Sequence, residues 1–465
     1  MAKLWGGRFD RKTDPAFERF SASYRWDRRL LPYDLLIDAA HVHALKRVGV
    51  LTASEEKKLL TALAKISRAA AAGTLKLDAR AEDVHSAVQD ALKGIAGALS
   101  DKIHTGRSRN DLVSQSSRLY CKEKADQTIA AIRVFQKAIV KKADEHRDTL
   151  IPGMTHLQNA QVLSAAHVFL AYAEMLDRSV AQFETARAFA DVCVLGSGAL
   201  AGSTFPIDQA RMARELGLSR VTSNSYDVSG DRDFVLAWLG AAAFLGVQLS
   251  RMAEDLMLAQ TKGFSLMEVD QIFCTGSSMM PQKKNADFIE LTRGAAGVLA
   301  GNHAALQTTL KGLPTSYNRD LQWDKRSLFD SAELAADLLD IFSRAFATLT
   351  VDAARARALM DETIYATDLA DYLVRTGVPF KTAHEQVGRI VSFSEENKTP
   401  ISKIGIDLLR CFAPTIGGDV YALFDADHSV ALKKTIGGTS PAEVSRQIRR
   451  WNERLKGVPG ASIRI

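Results

Sequence analysis

The sequence predicts an all-α protein: a long central helical bundle with smaller N- and C-terminal helical domains. Three observations carry that expectation. Only 11 of the 465 residues are proline, and between them apolar residues recur at helical spacing. The uninterrupted stretches run to about 30 residues, or about 45 Å of helix, against a usual mean of about 11–12 residues. Segments with the two-residue alternation of half-buried strands are scarce.

The first stretch, 111–147, has neither Pro nor Gly and repeats Ile129, Ile132, Phe135 and Ile139 at helical spacing. The second is 162–195. The third, 231–262, contains only two glycines. The fourth, 285–311, sets Gly294, Gly297 and Gly301 roughly on one face, where a neighbouring helix can approach closely. The fifth runs from 325 to about 362. Several of these helices, notably FVLAWLGAAAFLGV, are apolar nearly all round, so they are expected to pack against other subunits. Residues 1–108 mix short helical pieces with charged loops and form an expected N-terminal domain. Residues 109–361 form the central bundle, carrying oligomerisation and the active site. Residues 362–465 form a C-terminal domain of shorter helices broken by TGVPFK, ENKTP and APTIGGD.

Composition narrows the function. Hydrophobic residues are 46% and charged residues 25% of the chain, an ordinary soluble balance. The net charge of +6 is spread without a basic run, so nucleic acid is not expected and a small anionic substrate is. The four cysteines (Cys121, Cys193, Cys274 and Cys411) form no CxxC pair, which points to a reducing compartment rather than disulfides or zinc. The N-terminus carries no signal-peptide pattern. The longest apolar run, 234–249, is 16 residues, short for a membrane span. The expected location is cytoplasmic, with no membrane partner.

Polar segments punctuate the helix ends. HTGRSRND (104–111) opens the first stretch with Arg107, Ser108, Arg109 and Asn110. It reads either as a carboxylate site at a helix N-terminus or as a capped helix start with solvated arginines. PGMTHLQNAQ (152–161) places Thr155 and His156 in the expected first turn of the second helix. A histidine there is either structural or a proton-transfer group, and the helix dipole would require a carboxylate partner for a proton donor. TSYNRDLQWDKR (315–326) offers Tyr317, Asn318, Gln322 and Lys325, or is an ordinary polar connection. CTGSSMMPQKKNADF (274–288) breaks two helical runs with a glycine-started loop. Ser277 and Ser278 supply hydroxyls there, and Lys283 and Asn285 a charge and an amide. That loop can close over a dicarboxylate, or it is a surface turn. GSGALAG (196–202) has the wrong spacing for a dinucleotide fingerprint and reads as a flexible turn. HVH (41–43) and HEQVG (384–388) lack the further ligands of a metal site.

GSSMMPQKKN (276–285) resembles the GSSxMPxKxN signature loop of the aspartase/fumarase superfamily, which cleaves C–N or C–O bonds by β-elimination and releases fumarate. Within it, LWGGRF (4–9), HTGRSRND, THLQNAQ, SRMAEDL (250–256) and LKGLPTSYNRDLQWDK (310–325) look like the argininosuccinate lyase family. The likeness continues through ATDLADYLVRTGVPFKTAH (366–384) to GGTSP (437–441). It implies elimination of argininosuccinate to fumarate and arginine, in arginine biosynthesis, by a homotetramer with no metal or cofactor. It assigns Ser277 as the base, His156 oriented by Glu290 as the acid at the departing nitrogen, and Lys283 with Asn285 as holders of the reacting carboxylate. Ser23, Asn110, Thr155, Tyr317, Gln322 and Lys325 match substrate-binding positions, with Arg107 and Arg109 in the carboxylate-binding segment. Three positions depart from the pattern: Val162, Ala286 and Gln89, the last putting the hydrogen bonding near His85 in question. Other lyases of the superfamily, and a non-enzymatic protein on the same scaffold, are the competing readings; retention of every assigned catalytic group disfavours the second.

Overall fold

The computed structural model describes residues 13–460, so the LWGGRF segment lies outside the described residues. Five long helices dominate: Arg109–Glu145, Ala165–Ala190, Asp233–Gln260, Asp287–Leu310 and Asp324–Ala347. None contains a proline, so no backbone donor is missing from their ladders. Ile132, Phe135 and Ile139 of the first are each fully buried. Among the described residues the strands are short and all pair in two-stranded sheets.

Two of the expected helices end elsewhere. The second begins at Ala165, because Gln158–Ser164 is a strand paired antiparallel with Leu150–Thr155. A run without Pro or Gly, such as VLS at 162–164, is compatible with either state, and pairing with Leu150–Pro152 decides it. The fifth helix stops at Ala347, fifteen residues short of 362. Thr348 turns its hydroxyl back onto the carbonyl of Ala345, and Thr350–Val351 pairs with Met267–Glu268. Side-chain competition for helix carbonyls and β-branched residues both favour that exit.

The chain divides into two compact units, and the boundary falls inside each of the five long helices. One unit comprises Met1–Ile129, Val180–Leu245 and Gly297–Ala335. Its core stacks Tyr120 edge-on against Tyr33 and Phe329, with ring centroids 5.9 and 4.8 Å apart. It also buries charge. Arg232 donates to Asp324 at 2.5 Å with both side chains 1% exposed. Arg118 pairs with Asp231 and lies over the Phe234 ring. The other unit comprises Ala130–Ser179, Gly246–Ala296 and Ala336–Ile465. Phe135, Phe169, Phe342 and Phe346 form its aromatic centre. Leu369, Leu373, Ile390 and Val420 belong to a second cluster among its C-terminal helices.

The Asp233–Gln260 helix is long and apolar enough to cross a membrane by length and composition alone, yet just over half of that stretch is buried inside the protein, as in a core helix. The Asp287–Leu310 helix leaves an apolar face uncovered. Leu291 is 71% and Val298 53% exposed. Gly294, Gly297 and Gly301 have open space where a Cβ would stand. No charged residue is among the exposed positions between 291 and 308.

Candidate active site

In the first unit, seven of the sequence-predicted residues sit on three segments. Ser23 is buried and donates its hydroxyl to Asp27 at 2.5 Å, while its backbone N–H donates to the carbonyl of Glu82. The 319–325 segment docks here. Gln322 donates to the carbonyl of Ser21 at 2.7 Å, and Arg319 reaches Glu82 and the same carbonyl. Trp323 packs against Phe20 and Trp26. Lys325 is buried at the start of the fifth long helix and contacts Asp324 at 3.4 Å. Burial pushes the Asp27 carboxyl up, and the nearby charges of His85 and Lys325 pull against that. Tyr317 is half-buried beside Ser316. Ser316 holds φ 74° and lies so close to Gly230 that a Cβ there would meet its carbonyl oxygen at 2.3 Å.

Arg107 and Arg109 are less available than the sequence suggests. Arg107 is buried against Asp38 at 2.7 Å. Arg109 spans Asp83 at 3.2 Å, Glu82 at 3.4 Å and the Ser86 hydroxyl at 2.6 Å. The protein's own carboxylates therefore hold both guanidinium groups. Asn110 donates its amide to the carbonyl of Ala199. Asp111, its carboxyl pushed up to about 6 by burial, accepts the N–H groups of Ser108, Gly196 and Gly198. The glycine segment 196–202 is thus braced rather than a flexible turn. It walls a cavity of about 400 Å³ with Ser203, Phe205 and Asn224.

Sequence reasoning missed the acids behind these groups. Asp34 and Asp38 are buried one turn apart on the Leu31–Arg47 helix, with His41 on the same side. Asp34 binds both His85 and Ser116. The signal was present in the i, i+4, i+7 spacing of three ionisable residues among the apolar residues of this helix. Gln89 contacts His104, and His85 is served by Asp34, so the departure at Gln89 leaves the His85 contact in place.

His41 Nε2–H donates to the Thr105 carbonyl at 3.0 Å, which fixes the tautomer as Nε2–H. Burial, reinforced by Arg107, pushes its pKa down to about 3. The folded protein keeps this histidine neutral where the unfolded chain, near pKa 6.5, becomes charged. Stability is therefore lost as pH falls below about 6.5, at about 1.4 kcal/mol per pH unit until about pH 3. Urea unfolding of wild type and His41→Gln is expected to show their stability difference shrinking as pH falls through this window. A pH-independent difference would show that His41 is not held neutral.

The second unit carries the other six residues. Thr155 and His156 do not open a helix; they end a hairpin. His156 and Leu157 form its two-residue turn with φ 54° and 58°. Positive φ at both positions is the geometry that hairpin twist selects, at a cost of about 1–2 kcal/mol for each non-glycine residue. The helix-dipole objection to a protonated His156 accordingly falls away. The chain folds this way because Gly153 permits a bulge: a Cβ there would lie 2.6 Å from Leu163.

The signature loop is a second hairpin. Thr275–Gly276 pairs with Lys284–Asn285, leaving 277–283 as its loop. The Ser277 hydroxyl oxygen accepts the backbone N–H groups of Met280 at 3.0 Å and Met279 at 3.3 Å. Lys283 is exposed in the loop, Asn285 is half-buried on the strand, and Glu290 is exposed in the first turn of the fourth long helix. Within one chain no hydrogen bond joins His156 to Ser277 or Glu290 among the described residues.

Residues 7–301 match the Lyase family profile, and residues 363–431 match the argininosuccinate lyase C-terminal profile. The argininosuccinate lyase of Desulforudis audaxviator is 42% identical, over 98% of this chain and 100% of that protein. That of Pelotomaculum thermopropionicum is 40% identical over 99% and 100%. Among solved structures, EDDS lyase in complex with formate is similar with a TM-score of 0.82 and 28% identity, covering 96% of this chain and 90% of the other.

Proposed function

This chain belongs to the argininosuccinate lyase family, and from that premise we propose how its residues carry the reaction. It is a carbon–nitrogen lyase that splits argininosuccinate reversibly into fumarate and arginine. Similarity along essentially the whole chain to the relatives above carries that conclusion.

The proton to be removed lies on the succinyl carbon next to a carboxylate and is weakly acidic. Ser277 takes it. A free hydroxyl is a poor base, but the two N–H groups aimed at Ser277 Oγ favour its ionised form. As the proton leaves, charge builds on the adjacent carboxylate as an aci-carboxylate, which Lys283 and Asn285 hold. The C–N bond then breaks, its electron pair passes to the guanidino nitrogen, and His156 protonates that nitrogen. Glu290 orients His156. Ser23, Arg107, Arg109, Asn110, Thr155, Tyr317, Gln322 and Lys325 bind the substrate. The engaged guanidinium groups support Arg107 and Arg109 as organisers of the 104–111 segment more than as free carboxylate clamps.

The assembly is a cytoplasmic homotetramer, with residues 109–361 as its shared bundle. The exposed face of the Asp287–Leu310 helix from 291 to 308, which carries no exposed charged residue, supports this, since open glycines admit a second helix closely. A purified sample supplied with argininosuccinate in the presence of a chelator is expected to release fumarate and arginine in equal amounts. No fumarate, or activity that needs a divalent ion restored, would overturn this reading.

A further inference from the structure

The His156 hairpin has little packing to hold its tip. Leu157 is 62% and Met154 37% exposed, and both turn residues have left-handed backbones that L side chains rarely adopt. A strained turn of this kind persists only where its surroundings fix it. The strand ladder fixes one side, ending at Thr155 and Gln158. On the other, Asn159 spends both amide hydrogens on the same neighbouring segment, donating to the carbonyl of Leu359 at 3.0 Å and to Asp361 Oδ2 at 3.0 Å. Among the described residues, these are the only hydrogen bonds from positions 154–160 to anything outside the hairpin. Asp361 is itself held. Its Oδ1 accepts the N–H of Thr363 at 2.9 Å and the Thr363 hydroxyl, capping the Glu362–Tyr365 turn.

We propose that Asn159 and Asp361 form a clamp that aims the His156 imidazole at the departing nitrogen. Both are positioning residues: neither touches the reacting atoms, and each acts through the turn three residues from Asn159. The clamp rests on the reading of His156 as the proton donor. Its effect belongs to the chemical step, because a small misplacement of a catalytic group slows reaction without weakening ground-state contacts made elsewhere.

The test is a double-mutant cycle on the full-length enzyme. Asn159→Ala is expected to lower kcat by about 10- to 100-fold, with KM for argininosuccinate within about threefold and the melting temperature nearly unchanged. Asp361→Leu is expected to lower kcat to a similar extent, with a fall in melting temperature from the lost cap, whereas Asp361→Asn, which keeps an oxygen facing Asn159, retains most of the turnover. In a His156→Asn background, Asn159→Ala is expected to cause no further loss. An equal loss in both backgrounds, or none in either, overturns the clamp while leaving the role of His156 standing. Normal turnover in His156→Asn alone instead overturns the role of His156 and the clamp together.

Discussion

Ser277→Ala is expected to cut turnover of argininosuccinate by roughly 10²–10⁴, the usual scale for loss of a general base, while the protein stays folded. The fold survives because Ser277 lies in the 277–283 hairpin loop and, among the described residues, its hydroxyl bonds only to that loop's amides. No core residue depends on it. Two effects combine in the loss. The proton acceptor disappears, and the Met279 and Met280 N–H groups lose the oxygen whose charge they stabilise. Substrate affinity, read from binding in the absence of turnover, is expected to change far less, since a base acts in the transition state. Near-normal turnover in a folded Ser277→Ala enzyme would remove this serine from the reaction.

The long helices were legible because their interiors lack proline and their apolar residues keep one period. The loop at 274–288 was legible for the opposite reason, as a glycine and a proline inside helical surroundings. The hairpin that presents His156 was not. Its second strand continues into a helix without a Pro or Gly, and nothing local in QVLS separates strand from helix. Only pairing with Leu150–Pro152 does so, and pairing is a tertiary fact. The ion pairs of Arg107 and Arg109 were hidden for a similar reason. Their partners Asp38, Glu82 and Asp83 lie at distant or separate positions in the sequence. The ionisable face Asp34, Asp38 and His41 was readable in principle, because ionisable residues at helical spacing on a buried helix need partners.

One complete site is expected to draw on more than one chain. His156 and Ser277 sit in the turns of two separate hairpins of the same unit. The tip of the His156 hairpin and the Ser277 loop share no hydrogen bond within the chain among the described residues, and the face around Leu291 and Val298 lies open for a second copy. Mixing tests this most directly. His156→Asn and Ser277→Ala proteins, each nearly inactive, are unfolded together, refolded and assayed. In a random tetramer with His156 and Ser277 supplied by different chains, about a quarter of the sites combine two intact copies. The mixture is therefore predicted to recover a substantial part, up to about a quarter, of wild-type activity. If both residues of a site came from one chain, every site would carry a lesion, and the mixture would stay as inactive as its parents.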